Sequence, residues 1–171
     1  MALVTGFACL TAICAQVSFW IGLVPISGQT FAVLLSGALL GSRRGALSQL
    51  SYLAIGATGI PFWFAFGGAP GVARLIGPTG GYLFGFVAAA FVVGWLAERG
   101  WDRRVWTAVL AMLAGSVIMY IFALSWLTHF IPSGTLLQVG LYPFVIGDLL
   151  RILLAALVLP SGWLLLRRFA G

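Results

Sequence analysis

The sequence predicts an all-α integral membrane protein, a bundle of six transmembrane helices with a folded-in loop between the third and the fourth. Three observations support this fold class. Hydrophobic residues make up 62% of the chain and charged residues only 7%, against about 25% charged residues in a soluble domain. The apolar residues form long segments, and most basic residues lie between those segments. Because large exposed apolar patches drive association in water, a bilayer is the solvent that this composition requires.

The six predicted helices follow from segment length and from the residues between segments. A spanning helix needs about 20 apolar residues at a rise of about 1.5 Å each. The first segment lacks the basic leader of a signal peptide, so we expect a retained helix. The second and third are short and form a hairpin, because Gly41 and Gly45 permit a tight turn. The fourth starts at Pro78 and Thr79, residues typical of a first helical turn and its cap. In chain order the expected helices cover about 3–21, 29–41, 45–57, 79–98, 104–128 and 143–167.

Arginine positions predict the orientation of the bundle. All nine basic residues are arginine, and seven of them lie within 43–44, 99–104 and 167–168. In a six-span chain these places face one side, and basic residues near short loops mark the cytoplasm. We therefore expect both termini in the cytoplasm, and we attribute the net charge of +6 to topology rather than to nucleic-acid binding. Glu98 and Asp102 are interpreted as solvated interfacial charges. Without a linker or a repeat, residues 1–171 are predicted to form a single domain.

The stretch 58–78 joins the third and fourth helices on the outer side. It is too apolar to extend into water and too rich in Gly and Pro to form one helix. We therefore expect a loop that folds back over the outer end of the bundle. Trp63 and Phe66 precede the Gly67-Gly68 turn of this loop and are predicted to line a pocket.

Residue types exclude most catalytic classes. The chain has no lysine, so it lacks the residue that a P-loop places on nucleotide phosphates and the amine that a Schiff-base enzyme needs. Cys9, Cys14 and His129 form no metal-ligand cluster. An enzyme that acts on lipid would need a nucleophile with a base, or a metal. We expect neither catalysis nor a cofactor.

Asp148 and Arg151 are the most informative charged residues. They lie three residues apart, so a helix projects them from one face about one turn apart. A charge at membrane depth is costly and faces the bundle interior, a partner or a ligand. One interpretation is an internal ion pair with a structural role. The other is a polar cavity open to the outside, in which Asp148 accepts hydrogen bonds from ligand N–H groups and Arg151 offers a donor fork to a carboxylate or carbonyl.

Small residues mark two further contacts. Gly80 and Gly81 open the fourth helix and let another helix or a ligand approach the backbone closely. Ala8 and Ala12 lie four residues apart on the first helix, a spacing that permits close helix packing in lipid. That packing is either within the chain or against another subunit.

Three stretches of the chain resemble the BioY family, the biotin-specific substrate-binding subunits of energy-coupling-factor (ECF) vitamin transporters. PISGQTFAVLL at 25–35 is similar to the family's segment that begins helix two. GPTGGYLFGF at 77–86 is similar to its most specific signature, and GDLLR at 147–151 matches its last-helix motif. With the six spans and the arginine hairpin, the resemblance covers nearly the whole chain.

The resemblance implies a fold, a ligand and partners. The family fold is a six-helix bundle with an externally facing biotin pocket beneath the loop between helices three and four. The implied location is the plasma membrane of a prokaryote. The implied partners are a transmembrane coupling subunit, which Ala8 and Ala12 would contact, and two ABC-type ATPases. No cofactor is implied, since biotin is the transported ligand.

Biotin chemistry agrees with the candidate residues. The ureido ring offers two N–H donors and a carbonyl, which match a carboxylate and a polar group such as Gln29. The thioether ring is apolar and suits Trp63 or Phe66, and the valerate carboxylate suits Arg151 or Arg74. The family usually has lysine in place of Arg151, and an arginine fork differs from a lysine point charge. The expected substrate-binding residues are Gln29, Trp63, Phe66, Gly67, Gly68, Arg74, Thr79, Gly80, Gly81, Tyr82, Asp148 and Arg151.

A second function remains compatible with the residues. In a structural or assembly membrane protein, Asp148 and Arg151 would only pair internally. Such a protein would show no saturable binding of a small ligand.

Overall fold

The computed structural model describes residues 1–21, 24–65, 69–145, 147–150 and 152–153. Within them the chain is helical apart from one short pair of strands. The α-helices and strands, in chain order, are α1 Ala2–Gln16, β1 Ser18–Ile21, β2 Val24–Ser27, α2 Gln29–Ala57, α3 Val72–Ile76, α4 Gly80–Ala97, α5 Val105–Leu127 and α6 Leu136–Gly140. Short 3-10 turns at Trp101–Arg103 and Ser133–Thr135 precede α5 and α6.

The strand pair corrects the predicted first helix, which was expected to continue to residue 21. Helix α1 ends at Gln16, and β1 and β2 then pair antiparallel, with Ser18 opposite Ser27. Two local preferences explain the change. The run at 17–21 contains Val, Phe, Trp and Ile, which favour strands, and Pro25 fixes its own backbone and biases the residue before it towards an extended form.

Helix α2 is a hairpin of two arms, at 29–40 and 42–57. Gly41 interrupts it with φ 80° and ψ 178°, a backbone conformation open essentially to glycine alone. The Nε2 atom of Gln49 donates to Ser36 Oγ at 3.0 Å, across 13 residues of sequence. A straight helix would separate those residues by about 20 Å. The predicted hairpin is confirmed, and its turn is tighter than expected because the second arm begins immediately after Gly41.

Helices α4 and α5 match the predicted segments 79–98 and 104–128 closely. Both are long and apolar enough to cross a membrane. Helix α4 packs against both α2 and α5 and lies at the centre of the bundle. A Cβ on Gly37 of α2 would lie 2.4 Å from the carbonyl oxygen of Ala90, so the two helices meet at backbone distance. The last predicted helix is helical at 142–145, 147–150 and 152–153, and its remainder lies outside the described residues.

A carboxylate joins the hairpin to α4. Glu98 accepts hydrogen bonds from Ser42 N at 2.7 Å and from Ser42 Oγ at 2.9 Å. These bonds, with smaller contributions from Arg99 and Arg43, lower the pKa of Glu98. The expectation of solvated charges was wrong for Asp102, which is buried.

Candidate functional site

The described residues line a cavity near one end of the bundle. Its walls come from the start of α2, the stretch 58–78, α4, α5 and the last helical segment. Side chains of aromatic and apolar type predominate, with a few polar groups among them. The lining residues are Ser27, Gln29, Thr30, Phe64, Arg74, Thr79, Tyr82, Leu83, Phe86, Met119, Tyr120 and Phe144.

Asp148 supplies a buried carboxylate behind this lining. It is 5% exposed. Thr30 Oγ1 donates to its Oδ1 at 3.3 Å, and the Tyr120 hydroxyl donates to its Oδ2. Both donors line the cavity, so the carboxylate is coupled to the cavity wall through two hydroxyl groups. The structure thus places Asp148 directly behind the pocket wall, while Arg151 lies outside the described residues. The role of the two residues in ligand binding stays a prediction.

Thr30 and Tyr120 were missed by sequence reasoning. Thr30 directly follows Gln29 in the 25–35 motif, and its side chain could have been considered with that residue. Tyr120 lies inside the apolar segment of α5, where a tyrosine is usually a core residue. Nothing in the local pattern of α5 shows that its hydroxyl meets a carboxylate 28 residues away.

Gln29 organises the wall of the cavity through its amide. Its Oε1 accepts from Ser27 Oγ at 2.5 Å, and its Nε2 donates to Tyr52 OH at 2.5 Å and to the Phe64 carbonyl at 2.9 Å. Both amide hydrogens therefore bind protein acceptors. Gln29 lines the cavity, and it also fastens the stretch 58–78 to the start of α2.

The aromatic contribution of the stretch 58–78 comes from Phe64. This side chain is buried and lines the cavity. Trp63 is not part of that lining among the described residues. Its indole Nε1 donates to the Tyr52 carbonyl at 2.9 Å, and its ring stacks on Tyr52 with centroids 6.0 Å apart. Trp63 thus supports the wall from behind, while Phe66, Gly67 and Gly68 lie outside the described residues.

Arg74 places a cation at the cavity wall. It belongs to α3, lines the cavity and is 7% exposed. Burial lowers the pKa of its guanidinium, but an arginine side chain stays protonated at any physiological pH. A buried guanidinium with five donors in a planar fork is well suited to bind a carboxylate.

The start of helix α4 brings expected residues to the cavity and also packs closely against its neighbours. Thr79 and Tyr82 line the cavity, and the Tyr82 hydroxyl donates to the Gly140 carbonyl at 2.5 Å. A Cβ on Gly80 would lie 1.9 Å from the Leu75 carbonyl oxygen, and one on Gly81 would lie 2.4 Å from Trp126 Cβ. The two glycines therefore allow close packing of the chain around α4, the first of the two roles expected for them.

The small-residue positions on α1 face inwards. Ala8 is fully buried and Ala12 is 8% exposed. Both belong to the core that α1 forms with α2 and α4. Their side chains pack within the chain, which is the first of the two roles expected for them, and a contact with another subunit at these residues stays a prediction.

This architecture defines a class of protein: a helical membrane protein that encloses a small-molecule site. Ligand sites are typically concave and mostly apolar, with a few placed polar groups. The cavity matches that description in its lining. Among the described residues, no group of three or more His, Cys, Asp or Glu side chains could hold a metal ion.

Comparisons with known proteins identify the family. A family model described as "BioY family" matches residues 1–168, and this chain belongs to that family, as the sequence motifs predict. It is 37% identical over 158 residues to the "Probable biotin transporter BioY" of Pyrococcus horikoshii, covering 92% of each chain. It is 39% identical over 155 residues to the "Biotin transporter BioY" of Thermotoga maritima, covering 89% of this chain and 88% of the relative.

A solved structure shares the fold. It is described as the S-component for biotin from an ECF-type ABC transporter. The two structures superpose with a TM-score of 0.81 at 25% sequence identity, over 94% of this chain and 88% of the other.

Proposed function

We propose that this chain is the biotin-binding S-component of an ECF transporter and mediates biotin uptake. The observation that carries the proposal is the cavity itself, which has a buried arginine on its wall and a buried carboxylate behind two lining hydroxyls. Its relatives are described as biotin transporters, and its structural neighbour as a biotin S-component.

The chemistry of the cavity complements that of biotin at three points. Asp148, with Thr30 and Tyr120, provides acceptors for the ureido N–H groups. Arg74 provides the counter-charge for the valerate carboxylate. The aromatic wall, which includes Phe64 and Tyr82, suits the apolar thioether ring.

The membrane arrangement forms part of the same proposal. The chain crosses the membrane six times as a single domain at 1–171, with both termini in the cytoplasm of a prokaryotic cell. The stretch 58–78 covers an outward-facing pocket. Two contacts support this role, since Phe64 and Arg74 of that stretch line the cavity.

The chain acts as a binding subunit, and ATP hydrolysis belongs to partner chains. The proposed partners are a transmembrane coupling subunit and two ABC-type ATPases. The family relationship and the fold shared with an ECF S-component support this assignment. Ala8 and Ala12 pack within the chain, and a contact of the coupling subunit with helix α1 at these residues stays a prediction.

Equilibrium binding tests the proposal. Purified protein in detergent is incubated with radiolabelled biotin, with and without a large excess of unlabelled biotin. We expect saturable binding with one site per chain, fully displaced by unlabelled vitamin. A structural or assembly protein predicts no saturable binding, and that result would reject the proposal.

A further inference from the structure

A second concave surface lies on the outside of the bundle, apart from the biotin cavity. It is an open groove between the second arm of α2 and α4. Its lining is apolar and includes Leu50 and Ala54 of α2 with Phe84 and Phe91 of α4. Leu50, Phe84 and Phe91 are each more than 40% exposed, so the groove faces the lipid in a membrane.

An arginine lies beyond each wall of the groove, at the same end of the bundle. On α2, Arg43 precedes the lining positions 46, 50 and 54 at helical spacing. On α4, the lining positions 84, 88 and 91 are followed by Trp95, and Arg99 lies in the turn just after the helix ends at Ala97. Residues three or four apart share a helix face. Each apolar stripe therefore runs into a cation.

The arginine of the α4 stripe has a defined position. The Cζ atom of Arg99 lies 3.3 Å from the ring centroid of Trp95, and its Nη1 donates to the Trp95 carbonyl at 2.9 Å. Arg43 follows Ser42 and Arg99 follows Glu98, and Ser42 N donates to Glu98 Oε1 at 2.7 Å, so the two arginines lie on neighbouring segments of backbone. Glu98 offsets one of the two positive charges, but its carboxylate oxygens are already bonded to Ser42.

We propose that this groove binds an anionic phospholipid, with an acyl chain along α2 and α4 and the phosphate at Arg43 and Arg99. An arginine fork matches a phosphate in geometry and charge, and basic sites beside transmembrane helices bind anionic head groups. A second copy of the chain fits the surface poorly. A symmetric pair of parallel chains would place both arginine pairs at the same depth, where like charges repel.

Native mass spectrometry in detergent tests the proposal with palmitoyl-oleoyl phosphatidylglycerol and the matching phosphatidylcholine at equal concentration. Wild-type protein is expected to retain phosphatidylglycerol preferentially. The double variant Arg43→Gln/Arg99→Gln is expected to reduce that preference by about fivefold for each arginine removed. The matched control, Arg103→Gln/Arg104→Gln, removes two exposed charges that lie just before α5 and follow neither apolar stripe of the groove, and it should leave the preference unchanged.

A second variant tests the groove rather than the charge. Ala54 is exposed on the groove wall, so Ala54→Phe fills the groove without disturbing the core, and it should weaken retention of both lipids. Equal retention of the two lipids by the wild-type protein would overturn the proposal. So would an equal loss of preference in the two arginine double variants. A dimer that Ala54→Phe dissociates would overturn it in favour of a second copy of the chain.

Discussion

Replacing Asp148 by asparagine tests the proposed binding site most directly. The carboxylate accepts hydrogen bonds from Thr30 Oγ1 and from the Tyr120 hydroxyl. An asparagine can keep the acceptor that Tyr120 needs and direct its NH₂ group to Thr30 Oγ1, which also accepts hydrogen bonds. The side-chain volume hardly changes, so we expect the variant to fold. It loses the negative charge that would strengthen hydrogen bonds from the ureido N–H groups.

The expected loss follows from the strength of that interaction. A hydrogen bond to a charged group contributes about 1.5–3 kcal/mol, which corresponds to an affinity change of about 10- to 150-fold. Isothermal titration calorimetry with biotin in detergent measures it, and thermal unfolding in the same detergent reports on the fold. We expect a Kd that rises within that range while the midpoint of unfolding changes little.

The control for this experiment is a second buried carboxylate. Asp102 is 7% exposed and lies in the turn before α5, whereas the cavity is lined by Met119 and Tyr120 further along that helix. Asp102→Asn makes the same chemical change elsewhere and should leave the Kd of biotin within about twofold. If Asp148→Asn also bound biotin like the wild-type protein, Asp148 would have no role in the site and the assignment of the ureido contacts would be wrong.

Three further predictions concern charge, backbone and pH. Arg74→Gln should weaken binding of biotin by about 10-fold or more. Binding of biotinamide, which has no carboxylate, should change little. If the variant lost affinity equally for both ligands, Arg74 would not be the partner of the carboxylate. Gly41→Ala should lower the free energy of unfolding by about 1–3 kcal/mol, because φ of residue 41 is 80° and the new Cβ would lie 2.6 Å from Glu98 Oε1. Thermal unfolding measures this loss. The control is Gly6→Ala, whose new Cβ would have no atom within 4 Å. Glu98 has a lowered pKa in the folded protein, so its stabilising contribution is present above about pH 4.5, its ordinary value, and disappears as the pH falls through the folded value. Between pH 7 and pH 3, the midpoint of thermal unfolding should therefore fall less steeply for Glu98→Gln than for the wild-type protein. If the two proteins showed the same pH dependence, the hydrogen bonds from Ser42 to Glu98 would not stabilise the fold in this way.

Much of the fold could be predicted because it depends on local composition. Apolar segment length located α4 and α5 to within a residue or two, and the Gly41-Ser42-Arg43-Arg44-Gly45 run located the hairpin of α2. The strand pair at 18–27 was missed, because an apolar run next to a helix looks like its continuation. Pro25 and the β-branched and aromatic residues before it were the signal that could have revealed it.

The candidate site could be predicted only in part. Arg74, Thr79 and Tyr82 were expected at the site and do line the cavity. Gln29 lines it as well, but with its amide hydrogens bound to Tyr52 and the Phe64 carbonyl. Sequence reasoning identified polar residues in apolar surroundings, since these are costly and need a partner. It could not say which protein group that partner would be.

Composition, segment length and short motifs are properties of neighbouring residues, so they were enough to predict the solvent, the helical class and the family. The contacts between distant side chains depend instead on how the helices pack. Thr30 and Asp148 are 118 residues apart and share a hydrogen bond, and Phe64 rather than Trp63 reaches the cavity. Such contacts depend on how α2, α4 and α5 pack against one another at their glycines. A loop longer by one residue, or a helix rotated by one residue about its axis, would bring different side chains together.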